Sequence, residues 1–128
     1  MTTGPGGDSP IDIVELARRN QAFRREIVTG DHSQVVVMTV PAGGEIGEEV
    51  HDVDQLLVFV EGDGEAVLDG ATSPVEPNQL VFVRAGTRHN FRASGTGPLR
   101  LVTVYAPPEH PPGTLHQTKE EADAAEGH

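Results

Sequence analysis

The sequence predicts an all-β domain, a sandwich or barrel with a short helix before it and a Pro-rich tail after it. Three observations carry that expectation. From Phe23 onward, short β-branched runs alternate with clusters of Gly, Pro, Asn and Asp, the texture of many short strands at close spacing. The chain has 128 residues, enough for one compact core and too few for two. It contains no cysteine, which excludes disulfides, zinc ribbons, iron–sulfur clusters and thiol catalysis.

Residues 1–8 are Gly-rich and are expected to be a disordered N-terminus. Ser9-Pro10-Ile11-Asp12 reads as a helix start, with Ser9 as cap, Pro10 at the first helical position and Asp12 near the positive end of the dipole. The helix is expected to run to about Asn20. Strands are expected near Arg24–Thr29, Gln34–Val40, Gln55–Val60, Glu65–Leu68, Gln79–Val83, His89–Arg92 and Leu99–Tyr105. Glu61-Gly62-Asp63-Gly64 is expected to be a hairpin turn, because glycine supplies the positive φ that tight hairpins need. Breaks fall at Pro41–Gly44 and Ser94–Pro98. The domain with its helix thus spans 9–106. Residues 107–128 form a C-terminal extension, opened by APPEHPPGT, where prolines cannot donate to a ladder. Pro107–His116 is expected to pack over the outside or mouth of the barrel, anchored by Leu115, and Lys119–Asp123 to form a weak helix or stay loose.

Charge and polarity narrow the partners. The formal net charge is −11, and an anionic surface repels phosphate backbones and anionic headgroups. Nucleic acid and membrane are therefore not expected. The first ten residues lack both the basic and the apolar segment of a secretory signal, and no apolar run is long enough to cross a bilayer. A soluble cytoplasmic protein follows as the expectation.

The candidate site lies between two strands. Glu49 and His51 are two residues apart and Gln55 four further on, so on extended chain all three share a face. If Asp52-Val53-Asp54 turns, only Glu49 and His51 are firmly paired. His89 follows Ala85-Gly86-Thr87, a small-residue turn that places the first side chains of the next strand at a barrel mouth. Imidazole, carboxylate and amide oxygen are all ligands for a borderline metal.

These residues carry a resemblance to the cupin superfamily. The first cupin motif is Gly, five residues, His-x-His, three or four residues, Glu, six residues, Gly. Gly43, Glu49, His51, Gln55 and Gly62 stand at its positions, with Glu49 where the first His is usual and Gln55 where Glu is usual. The second is Gly, five residues, Pro-x-Gly, two residues, His, three residues, Asn. It is met by Asn78, Arg84-Ala85-Gly86 and His89, then Ala93. Asn78 can take the left-handed conformation in place of glycine, whereas Arg84 and Ala93 depart from the pattern. The resemblance covers roughly 34–106. It implies a double-stranded β-helix, or jelly-roll, barrel and a metal site of Glu49, His51, Gln55 and His89. Two His and one carboxylate also make the facial arrangement of non-haem iron oxygenases, with Gln55 as a weak fourth ligand or an orienting group.

Blander readings stand beside these. Glu49 lies in an acidic run from Glu45 and could be a solvated side chain. Gln55 could be satisfied by backbone groups. His51 and His89 could be structural, in a barrel that has lost its metal. His110 and His116 read as surface histidines, His32 as a turn residue and His128 as terminal. Tyr105 ends an apolar strand whose parity cannot place it; it is a candidate catalytic hydrogen bonder or acid, with Glu49 as the catalytic carboxylate. Arg84 could bind a substrate carboxylate or form a surface ion pair.

The implied cofactor is a divalent transition metal, Fe or Zn before Mn or Ni. The implied activity is that of a metal-dependent oxidoreductase or isomerase acting on a small oxygenated metabolite, through dioxygenase or isomerase/lyase chemistry at an open metal position. The alternatives are a non-catalytic small-ligand-binding module and a metal-free structural barrel. A homodimer is also expected. If Gln55 faces inward, Leu56, Val58 and Val60 face outward, and three outward apolar residues need a cover. A partner subunit is the favoured cover and the N-terminal helix the other.

Overall fold

The computed structural model describes residues 9–125. The expected disordered N-terminus, 1–8, and His128 lie outside the described residues. Helix α1 (Ile13–Arg19) is followed by strands β1 (Arg24–Thr29), β2 (Gln34–Val40), β3 (Asp54–Glu61), β4 (Gly64–Leu68), β5 (Ala71–Val75), β6 (Leu80–Val83), β7 (His89–Ala93), β8 (Leu99–Ala106) and β9 (Leu115–His116), then helix α2 (Lys119–Ala125). One sheet has the order β6-β3-β8-β2-β1-β9 and the other β5-β4-β7. Their facing sides enclose one core, in which Val36, Leu57, Phe59, Phe91, Leu99 and Leu101 are wholly buried. This is the expected all-β jelly roll. Among the described residues, no helix is long and apolar enough to cross a membrane.

Strand parity decides what enters the core. On β3, Gln55, Leu57 and Phe59 are buried inward. On β8, Leu99, Leu101, Thr103 and Tyr105 are likewise buried, which places Tyr105 on the inner face. The outward residues divide into two sets. Val60 joins Val37, Val102, Ile27 and Ala17 in a second cluster beneath α1. Val58, Leu80 and Phe82 remain 37%, 55% and 43% exposed. The helix therefore covers only part of the outer face.

Several local expectations are corrected. Ser9 does not cap α1: the N-cap is Asp12, without a side-chain cap bond. Ile11 and Ile13 pack on the outer cluster, so the chain docks first, and helical bonding begins with Leu16 N–H to the Asp12 carbonyl at 3.0 Å. The Glu61–Gly64 turn is not a hairpin, since β3 and β4 belong to different sheets. It is a corner, where Gly62 has φ +89° and a Cβ would collide with the Pro98 carbonyl. The two-residue hairpin is Asp69-Gly70, between β4 and β5. Both residues have positive φ, +49° and +87°, as a type I′ turn requires. The unexpected strand β5 is exposed except for Val75 and contains Pro74, which is tolerated because β5 is an edge.

The C-terminal extension folds back. Leu115 and His116 pair with Arg25 and Arg24 of β1. Leu115 is 50% exposed and is not the anchor. The hold comes from Gln34 of β2, whose Oε1 accepts the Glu109 and His110 amides at 3.3 and 3.0 Å and whose Nε2 donates to the His110 carbonyl at 2.7 Å.

Candidate metal centre

The site forms where the segment entering β3 runs beside the start of β7. Glu49 and His89 exchange backbone hydrogen bonds in both directions, each 2.9 Å. Residues paired this way project their side chains to the same face. His51 is fixed through its carbonyl, which accepts the Gly86 amide at 2.8 Å, and Gly86 takes φ +88° in that turn. Asn78 has φ +75°, the left-handed conformation its motif position demands.

The ligating atoms of Glu49, His51 and His89 all lie within 4.8 Å of one another. Glu49 Oε1 is 3.2 Å from His51 Nε2, and the two imidazole centroids are 5.2 Å apart. The far nitrogen of each ring is engaged. His89 Nδ1 lies 2.8 Å from the Thr87 carbonyl, and His51 Nδ1 lies 3.1 Å from Glu109 Oε2. Within the cluster, His89 Nε2 is buried without a protein partner, and on the inner face of β3 so is Gln55 Oε1. Gln55 spends its amide group on Thr103 Oγ1 at 3.0 Å, which leaves the oxygen to spare.

The electrostatics follow from burial and neighbours. Burial would raise the Glu49 carboxyl, but the His51 hydrogen bond and the charges of His51, Arg24 and His89 outweigh it and hold it below the usual range. Burial would lower His51; Glu49 and Glu109 on either side raise it instead. His89 is lowered, because burial outweighs the Thr87 carbonyl. Burial also pushes the Tyr105 phenol well up, so it keeps its proton. The Tyr105 ring meets His51 edge-on at 6.0 Å and His110 at 5.1 Å.

An open pocket of about 570 Å³ leads to the cluster, lined by Glu48, Glu49, His51, Glu109, His110 and His116 among others. His110 and His116 are therefore not plain surface residues. His110 is 9% exposed, with Nε2 buried and unpartnered, and His116 Nδ1 lies 3.3 Å from Arg24 Nη1. Glu109, His110, Thr103 and Arg24 are residues that spacing alone did not reveal. A signal existed for the first two, since Pro107-Pro108 and Pro111-Pro112 bracket them and restrict the chain. Arg84 is exposed, with its guanidinium 5.6 Å from the Phe82 ring on the outer face, away from the pocket.

Residues 36–105 match the family profile of the cupin domain. The chain belongs to the cupin family. This cupin is 38% identical over 123 residues to the uncharacterized protein YrkC of Bacillus subtilis (strain 168), across 91% of this chain and 66% of YrkC. It is 28% identical over 110 residues to the uncharacterized protein L612 of Acanthamoeba polyphaga mimivirus, across 82% of this chain and 69% of that one. The chain thus spans about two thirds of the length of both relatives. The crystal structure of BH2720 from Bacillus halodurans superposes with a TM-score of 0.90 at 39% identity, covering 95% of this cupin and 99% of that chain. The matched span 36–105 contains Glu49, His51, Gln55 and His89 and stops short of Glu109 and His110.

Proposed function

We propose that this cupin binds one divalent transition metal through Glu49, His51 and His89, with Gln55 as the weakest, fourth ligand, and acts on a small oxygenated metabolite. The observation that carries this reading is the convergence of three ligating atoms within 4.8 Å, with His89 Nε2 buried and without a protein partner. A buried, unpaired polar atom costs about 1–3 kcal/mol, a cost that a cation offsets. Nitrogen and carboxylate donors suit Fe or Zn first, with Mn and Ni also compatible. Such an ion would supply a Lewis acid to an oxygenated ligand in the pocket and, as iron, access to oxygenase chemistry.

The protein's own residues define the rest. Glu49 carries the charge of the donor set, and Gln55 adds only a neutral oxygen. Tyr105 keeps its proton and serves as a hydrogen-bond donor. The pocket volume of about 570 Å³ suits a small molecule. Oxidoreductase and isomerase or lyase activity both fit this arrangement, and the cysteine-free composition suits the reducing cytoplasm. Elemental analysis of tag-free protein, before and after reconstitution, is the test: one equivalent of metal per chain is expected, and none after reconstitution sinks the reading. Oxygen uptake with candidate substrates separates the enzyme from a module that only holds its ligand.

The proposal includes a homodimer. Strand β6 is a sheet edge, and Leu80 and Phe82 stand exposed on it beside Val58, an apolar band that a second copy would cover. Light scattering should give twice the 13.6 kDa chain mass, and Phe82→Glu should shift it to the monomer. A monomeric parent protein removes the dimer.

A further inference from the structure

The ligands come from the matched cupin span, but one group that touches them does not. Glu109 sits beyond β8, in the segment bracketed by Pro107-Pro108 and Pro111-Pro112, and its Oε2 lies 3.1 Å from His51 Nδ1. We propose that Glu109 is a positioning residue of the metal centre, delivered by the C-terminal strap to fix the tautomer and orientation of His51. This inference rests on the metal reading above.

A neutral imidazole can offer one nitrogen to a cation only when the proton sits on the other. Whatever accepts a hydrogen bond from that other nitrogen therefore chooses the coordinating atom and aims the ring. His89 has this arrangement within its own turn, through the Thr87 carbonyl at 2.8 Å. His51 takes its partner from the strap. That partner is a carboxylate, which makes the imidazole a stronger donor than a carbonyl does.

The strap is held so that this contact is reproducible. Gln34, 1% exposed on β2, accepts the Glu109 and His110 amides and donates to the His110 carbonyl. Its amide group also reaches Thr29 Oγ1 at 2.9 Å, and that hydroxyl donates to Glu26 Oε2 at 2.7 Å. Glu26 Oε1 in turn accepts the Gly113 amide at 3.0 Å. Both ends of the segment are tied to the first two strands, with prolines on either side of the functional pair. A carboxylate on a free tail would lose its geometry to chain entropy; one held by this network does not.

Metal-free protein, prepared by chelation, is titrated with Zn²⁺ and Co²⁺ against a competing chelator. Glu109→Ala should weaken binding by about 10- to 100-fold and alter the Co²⁺ visible spectrum, while its metal-free melting midpoint stays at the parent value. Glu109→Gln, whose carboxamide oxygen still accepts the Nδ1 proton, should recover part of the affinity. Equal affinity of Glu109→Ala and the parent overturns the positioning role alone. A lowered metal-free midpoint in both variants, with no recovery in Glu109→Gln, makes the residue part of the strap's folding and overturns it as well. A parent protein that binds neither ion sinks the metal reading, and this role with it.

Discussion

The two ends of the barrel are built from the same strands and differ in kind. Inward positions of adjacent strands form rows across the larger sheet. At the mouth the row is Val83, Gln55, Tyr105 and Gln34. The next is Val81, Leu57, Thr103 and Val36, and deeper still come Phe59, Leu101 and Met38. Polarity thus falls within a few residues along each strand. The deep end is packed by Phe59 and Phe91, with centroids 5.8 Å apart. The mouth holds buried polar atoms without partners, among them His89 Nε2, Gln55 Oε1 and His110 Nε2. A folded chain tolerates such atoms where they serve a ligand. The deep end supplies stability, and the mouth gives some of it up by burying polar atoms without partners.

The largest effect should separate neighbours on one strand. Leu57→Ala, in the apolar row, should cost about 2–5 kcal/mol in denaturant unfolding of the metal-free protein. Gln55→Leu, one inward position closer to the mouth, should cost less, about 1–2 kcal/mol, because it removes an oxygen that had no protein partner together with the single Nε2 bond to Thr103 Oγ1. Similar losses at both positions would erase the distinction between the ends.

Metal should act on the mouth alone. At a hundredfold excess over its dissociation constant, Zn²⁺ should stabilise the parent by about 2.7 kcal/mol. Leu57→Ala should keep that increment although its baseline is lower. Glu49→Ala should lose most of it, and Gln55→Ala should lose less, since a neutral amide oxygen binds weakly. An equal or greater loss for Gln55→Ala reverses the ranking of these two ligands.

A third effect concerns pH. Burial lowers His110 to about 4 from a usual 6.5, so it is neutral in the folded protein. The unfolded chain protonates it first. Between about pH 6.5 and 4 the unfolded state therefore binds more protons, and stability falls as the pH falls through that window. His110→Gln should flatten the slope of metal-free stability against pH there. An unchanged slope would mean that His110 is not held neutral by the strap.

Much of the barrel was legible in the residues. Strands Arg24–Thr29 and Gln34–Val40 have the expected bounds, because β-branched runs between turn residues leave little choice. Strand β5 was hidden by Pro74 and polar neighbours, which only its edge position excuses. Strand β9, Leu115–His116, was hidden because two residues carry no period. Spacing and the cupin motif singled out Glu49, His51, Gln55 and His89, of which the fold brings the ligating atoms of Glu49, His51 and His89 within 4.8 Å of one another. His110 was misread as a surface residue: the prolines on either side mark the segment as restricted, but only the folded chain shows that it turns inward.

Local chemistry determined the strand-forming runs, the left-handed conformation at Asn78 and the donor types of the site, since these depend on side-chain branching, backbone sterics and ligand preference within a few residues. Tertiary structure alone decided that Tyr105 faces inward, that α1 covers Val60 but not Phe82, and that Glu109 reaches His51. Each of these depends on contacts between residues far apart in the chain, and such contacts are set by how the two sheets close around a common core.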